Sequence, residues 1–274
     1  MKRSTLSRTG TAVVASVFSL ALATGCSDSG SGDGDKAGGS GKPTAAAKAL
    51  TDTELTERIL ATGDVDGYKV EPANEAGAFA KSKDDVTVVA EKCAPLAYVL
   101  TGFAPGDEAA YVNRMVSKEV GASPSASSDK GLEDMTDAEL EEAMKDLTDV
   151  LGQTMTIVSL SSYEGDGAQK TMASVSDAIK GCGSGFKATA NGEPQKFTKV
   201  AEEKASGTGD ESLAFAVTGD AEGQEVVVHA EVVRHGSTIA TYYAFSLAAF
   251  SGEGGAGDYD VPAEIIKGQA AKLA

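Results

Sequence analysis

Two histidines, three cysteines and a surplus of carboxylates are what this chain offers for acid–base, nucleophilic or metal chemistry. His229 and His235 stand six residues apart with Glu231 between them, so on a straight strand all three share one face. That spacing fits a His/Glu/His metal set. The more ordinary reading puts His229 on the less buried face of a sheet and His235 in a turn, so no metal and no other cofactor is expected. Asp64-Val-Asp-Gly67 opens like a calcium loop, and Glu75 stands at its twelfth position. Tyr68, Val70 and Pro72 then occupy places where such a loop needs ligands, and a short strand after a turn is the preferred reading. Gly102–Gly106 lacks the Lys-Ser/Thr of a phosphate loop. Gly181-Cys-Gly-Ser-Gly185 carries Gly183 where a nucleophile elbow needs its serine. Carboxylates are too many for a hydrolytic pair to be singled out, so no catalytic residues are assigned. Arg114 and Arg234 are the candidate polar lining of a ligand site, because isolated arginines in an acidic domain suit an anionic group.

The thiols are easier to place. Lys2, Arg3 and Arg8 precede an apolar run over residues 11–23, and Thr24-Gly25 stands directly before Cys26. The run is too short to span a bilayer and reads as a secretory signal. Its end, Leu22-Ala-Thr-Gly-Cys26, resembles the processing site of bacterial lipoproteins. The resemblance implies cleavage before Cys26, a diacylglyceryl thioether on that sulfur, and a mature chain held on the extracytoplasmic face of the cell membrane. Two or more acyl chains give stable attachment where one does not. With Cys26 used for lipid, Cys93 and Cys182 remain in an oxidising compartment and are expected to form one disulfide.

Charge agrees with this placement. The chain carries 24 basic and 41 acidic residues. Losing residues 1–25 removes three basic side chains and no acidic one. Nucleic acid is excluded as an expected partner, since phosphate binding requires a basic face. The expected partners are the membrane, through the anchor on Cys26, and a small-molecule or envelope ligand.

The elements that would position a site follow a simple plan. Residues 1–25 are the signal peptide, and 26–49 the lipidated cysteine with a Gly/Ser/Asp-rich tether that has little to bury. Residues 50–274 read as one α+β domain. Thr51-Asp-Thr-Glu54 is a capping box opening a helix that Gly63 would stop. A short helix follows Cys93, with Leu96–Leu100 as core. A strand is expected over 111–120. Thr136-Asp-Ala-Glu139 opens an inserted amphipathic helix over about 136–151, with apolar residues at Leu140, Ala143, Met144, Leu147 and Leu151. A strand over 155–163 and a helix over 168–180 precede five strands at 186–190, 197–202, 212–218, 225–234 and 238–247, and a last helix follows Pro262. In the fourth of these strands Val226, Val228, Ala230 and Val232 share one side. In the fifth, Ile239, Thr241, Tyr243, Phe245 and Leu247 do. His235-Gly236 is the expected two-residue turn between them. Together these predict an antiparallel sheet of about five to seven strands with helices packed on one face.

The layout also resembles the PknH-like extracellular domain family. The residues that carry it are Leu60-Ala-Thr-Gly-Asp-Val65 leading to Gly67-Tyr-Lys-Val70, the cysteines at 93 and 182, and Val232-Val-Arg-His-Gly-Ser-Thr-Ile239. It covers roughly residues 50–250, with one cysteine pair where kinase members of the family have two. It implies a sheet backed by helices, a cleft, and extracellular ligand binding without catalytic residues. The functional expectation is therefore a non-catalytic binding or sensing lipoprotein. A lipid or glycolipid carrier is the alternative, with a cavity lined from the Val226/Val228/Val232 or Ile239/Tyr243/Phe245 faces, and a hydrolase ranks third.

Overall fold

A single antiparallel sheet organises the chain. The structure, a computed structural model, describes residues 47–73, 80–119, 136–221, 223–246, 248 and 259–274. Cys26, the apolar leader and most of the tether lie outside the described residues. None of the described helices is long and apolar enough to cross a membrane.

In chain order the elements are α1 (Asp52–Arg58), β1 (Tyr68–Glu71), β2 (Val86–Val88), α2 (Ala94–Leu100), β3 (Ala110–Lys118), α3 (Asp137–Leu151), β4 (Thr154–Ser162), α4 (Gly167–Gly181), β5 (Phe186–Ala190), β6 (Glu193–Glu203), β7 (Glu211–Ala221), β8 (Gln224–His235), β9 (Thr238–Ser246) and α5 (Ala263–Leu273). The nine strands lie in the order β1-β3-β4-β9-β8-β7-β6-β5-β2, each antiparallel to its neighbours. The class is α+β as expected, but the strands outnumber the expected five to seven. The short strand expected after the Asp64–Gly67 turn is β1, whereas β2, only three residues long, carries too little alternation to be read from the sequence.

Helices on one face is the expectation that fails. Alternation along β4 and β9 sends Ile157 and Tyr243 to one face and Val158 and Tyr242 to the other. On the first face α2 and α4 cover Ile157, Phe215, Val217, Val232 and Ile239. On the second, α1 and α5 bring Leu55, Ile59, Leu60, Ile265 and Ile266 against Val116, Val158, Leu160 and Tyr242. Every residue of β9 is buried as a result. The one-faced picture suits only the other half of the sheet, where α4 backs β6–β8 and Val227 on the opposite side is exposed.

Local chemistry explains how these helices are fixed. Thr51 and Glu54 form the capping box of α1. The helix ends at Arg58, well before Gly63, because Ile59 and Leu60 leave it to be buried beneath α5. Buried Gln269 of α5 holds that exit from both sides. Its Oε1 accepts from the Leu60 N–H at 3.0 Å, and its Nε2 donates to the Arg58 carbonyl at 2.8 Å. Cys93 and Cys182 are disulfide-bonded, tying the start of α2 to the end of α4 across 89 residues. The β8–β9 turn is centred on Gly236-Ser237 rather than His235-Gly236, since His235 pairs with Thr238. Gly236 takes the positive φ that the first central position of such a turn requires. The inserted helix α3 opens at Thr136, whose N–H and hydroxyl donate to Glu139, and it leaves Leu140 and Met144 exposed.

Candidate functional site

Where the α2 end of the sheet meets β5–β9, side chains fail to fill the space and a cleft of about 560 Å³ opens. Its floor is the α2/α4 face of the sheet: Val226 and Val228 from β8, Tyr243 and Phe245 from β9, and Phe197 from β6. Leu100 and Thr101 at the end of α2 form one wall, so Leu100 is a cleft residue while Leu96, Ala97 and Val99 are core, as expected. The Thr101 hydroxyl is used on the helix end, donating to the Ala97 carbonyl at 2.8 Å.

Gly219 makes room in the floor. Its place on β7, opposite Phe197 and Val226, belongs to the same face. A Cβ there would stand 3.7 Å from Phe197 Cδ1 and 3.8 Å from the Val226 carbonyl oxygen, which is ordinary contact. The missing side chain is therefore volume left open, not a backbone requirement. Phe186 packs on Phe197 with ring centroids 4.6 Å apart, and Tyr243 stacks on Phe245 at 5.3 Å, so the aromatic walls brace each other.

The rim is polar. Glu193, Gln195, Lys196 and Asp220 stand there beside the Asn191-Gly192 turn of the β5–β6 hairpin, where both residues have positive φ. Lys196 Nζ donates to Asp220 Oδ2 at 2.9 Å, and the Gly223 N–H donates to Asp220 Oδ1 at 2.9 Å. Lys196 first, and then that N–H, hold the Asp220 carboxyl below its ordinary value. Burial pushes the pKa of the Tyr243 hydroxyl up. An apolar slot with a few polar groups at its mouth is the usual form of a small-molecule site.

The two arginines do not meet there. Arg114 pairs with Val158 on the α1/α5 face, while Arg234 pairs with Ile239 on the opposite face. Neither lines the cleft. Arg234 binds Asp210 at 3.0 Å and Glu211 at 3.5 Å, and Arg114 donates to the Asn113 carbonyl at 2.7 Å. Facing directions alternate along a strand, and no spacing between distant strands reveals which face an isolated arginine takes.

Nor do His229, Glu231 and His235 converge. Buried Glu231 accepts from the N–H and hydroxyl of Ser206. His235 sits at the hairpin end, where desolvation lowers its pKa and its Nε2 is buried without a partner. His229 instead meets Glu203, Nδ1 to Oε2 at 3.0 Å, and faces Asp260 Oδ1 at 3.8 Å. Nothing in the sequence signals these two carboxylates, since each comes from a separate segment. The Asp64 loop is structural: Asp64 Oδ2 accepts from Ala61 N and Lys272 Nζ, at 2.7 and 2.6 Å. A second depression, of about 500 Å³, holds Lys83, whose ammonium is used on Glu108 at 2.7 Å, the Gly106 carbonyl and the Tyr98 ring.

No family model matches the chain, and no curated protein matches its sequence. Among solved structures it is similar to the crystal structure of the extracellular domain of PknH from Mycobacterium tuberculosis. The TM-score is 0.45 and the identity 10%, covering 82% of this chain and 95% of that one.

Proposed function

We propose that this chain is a non-catalytic ligand-binding module of the bacterial cell envelope, held to the outer face of the cell membrane by acyl chains on Cys26. Its cleft takes an amphiphile, with the apolar part on the Val226/Val228/Tyr243/Phe245 floor and the polar part at Lys196 and Asp220. The observation that carries this reading is the open apolar volume bounded by Gly219 and Phe197. Unfilled apolar space in a core costs stability, so a fold that keeps it is expected to use it. The non-catalytic part is supported by the lining, whose carboxylates are Glu193 and Asp220, the latter already paired with Lys196. The Cys26 anchor rests on the sequence pattern, and an intact mass beginning at an acylated Cys26 checks it.

A carrier of lipid or glycolipid is the second reading, favoured because the floor comes from the two strand faces that such a carrier would need. Native mass spectrometry of detergent-purified protein, followed by organic extraction, tests both. A stoichiometric amphiphile that is lost in Gly219→Leu supports the binding site. Transfer of that amphiphile between vesicles at a rate set by protein concentration makes the protein a carrier, and retention without transfer makes it a sensor. A cleft that stays empty in every preparation, with no thermal shift from a panel of envelope lipids, rejects both.

A further inference from the structure

Away from the cleft, on the opposite face of the sheet, three segments distant in sequence bring donor atoms to one point. Glu203 ends β6, His229 lies mid-way along β8, and Asp260 precedes α5. Glu203 Oε2, His229 Nδ1 and Asp260 Oδ1 all lie within 4.8 Å of one another. The strand between β6 and β8 carries Ala214 and Ala216 on this face, opposite Glu203 and His229 respectively. Two methyl groups leave a trough that the Glu203 side chain crosses. Asp260 is brought in by its neighbour: Tyr259 sets its ring edge-on to His229 at 5.1 Å and donates its hydroxyl to the Val227 carbonyl.

The charge pattern is what calls for a cation. One imidazole nitrogen carries at most one proton, and Glu203 takes that hydrogen bond at 3.0 Å. The Asp260 carboxylate then faces the same nitrogen at 3.8 Å with no proton to accept. Among the described residues neither carboxylate pairs with lysine or arginine. Two carboxylates around one ring nitrogen, in a chain of net charge −17, are mutually repulsive unless positive charge sits between them.

We propose that Glu203, His229 and Asp260 bind a first-row divalent cation of the Zn²⁺ type. Two carboxylate oxygens and one imidazole nitrogen suit such an ion better than Ca²⁺, which prefers an all-oxygen shell. Three protein ligands leave a fourth position for water or an outside donor. His229 binds through Nδ1 as neutral imidazole, so any proton on Nδ1 is released to solvent and the ring proton resides on Nε2. The ion cross-links the segment leading into α5 to strands β6 and β8. The side chains are partly exposed, and Asp260, at 85% exposure, has room to close the last distance.

The test uses the tag-free purified protein and Zn²⁺ alone, with Ca²⁺ in parallel. The melting temperature is expected to rise by roughly 5–10 °C at a hundredfold excess of Zn²⁺ over its Kd. The chain has only two histidines, so nitrogen-15 spectra separate them, and Nδ1 of His229 moves while His235 serves as the internal control. Asp260→Asn removes an exposed ligand without touching the core, and weakens Zn²⁺ binding by more than about tenfold, the least that even outer-shell changes cost. His229→Gln abolishes the shift. Equal stabilisation of these variants and the parent, equal stabilisation by Ca²⁺, or movement of His235 in place of His229 overturns the proposal. Ligand occupancy of the cleft does not enter any of these readouts.

Discussion

The two faces of the sheet are closed by different means, and a cleft opens on the α2/α4 face. On the α1/α5 face, Gln269 satisfies both backbone groups freed where α1 ends, and Leu60, Val158, Tyr242 and Ile265 pack into one buried cluster. On the α2/α4 face a covalent bond between the start of α2 and the end of α4 does part of the holding. There the cleft survives between Phe197, Gly219 and Tyr243. A face closed by packing and hydrogen bonds has to be full. A face held by a cross-link is free to remain partly empty, because stability there comes from restricting the unfolded chain.

Breaking the cross-link is the strongest way to test that contrast. Replacing both Cys93 and Cys182 by serine is expected to lower the unfolding free energy by about 4–5 kcal/mol in the chain-entropy model, read from urea titration. Amide exchange should accelerate first in α2 and α4, with α1 and α5 protected longer. Equal acceleration on both faces would show that the disulfide supports the whole sheet rather than one side.

On the packed face, Gln269→Leu leaves the buried Leu60 N–H and the partly buried Arg58 carbonyl without their partner. At about 1–3 kcal/mol for the buried N–H, and less for the carbonyl that water can reach, a loss of roughly 1–4 kcal/mol is expected in the same titration. A loss below about 1 kcal/mol would mean that water takes over both bonds and the face is not dry.

Gly219→Leu sharpens the comparison from the other side. Overfilling a packed core costs about 1–3 kcal/mol. Here the new side chain enters open space, so the melting temperature should hold or rise while amphiphile binding is lost. A large destabilisation would mean that the cleft is smaller than its outline.

The smallest effects are electrostatic and opposite in direction. A hydrogen bond from Lys272, and then the Ala61 N–H, hold Asp64 below its ordinary pKa. A carboxylate lowered in the folded state stabilises it above the unfolded value near pH 4, and this is lost as pH falls through the folded value. Asp64→Asn should therefore flatten the acid limb below pH 4 by at most about 1 kcal/mol, a partly exposed pair being screened by water. The buried tyrosines act in the reverse sense. Burial raises Tyr163 to about 12 and raises Tyr243 further still, so their contribution is complete below pH 10 and is lost as pH rises above it. Alkaline unfolding followed by tyrosinate absorbance should start above pH 10, and Tyr243→Phe should delay it.

Much of the scaffold is legible in the residues. The capping box at Thr51, the alternation in β8 and β9, and the hairpin glycine are short-range signals, and the structure places them as read, apart from a one-residue shift of the turn. The cysteine pairing expected between Cys93 and Cys182 is the one the structure has. The cleft is partly legible as well, since Val226, Val228, Tyr243 and Phe245 fall on the faces that alternation assigned. Gly219 and Phe197 were not foreseeable, because β6 carries a bulge at Phe197–Lys199 that resets its register against β7. Arg114 and Arg234 sit on opposite faces of one sheet, an arrangement that their separation in the sequence does not reveal.

What the amino-acid order determined by itself is whatever depends on neighbours a few positions away: helix starts, strand faces and turns. Tertiary structure alone decided that helices cover both faces, that an apolar slot remains on one, and that Glu203, His229 and Asp260 share a point on the other. The physical reason is range. Backbone sterics and side-chain alternation act over a handful of residues, whereas the order of strands in a sheet sums many weak contacts between segments far apart in the chain. Which side chains then face each other across that sheet is settled only when all nine strands are in place.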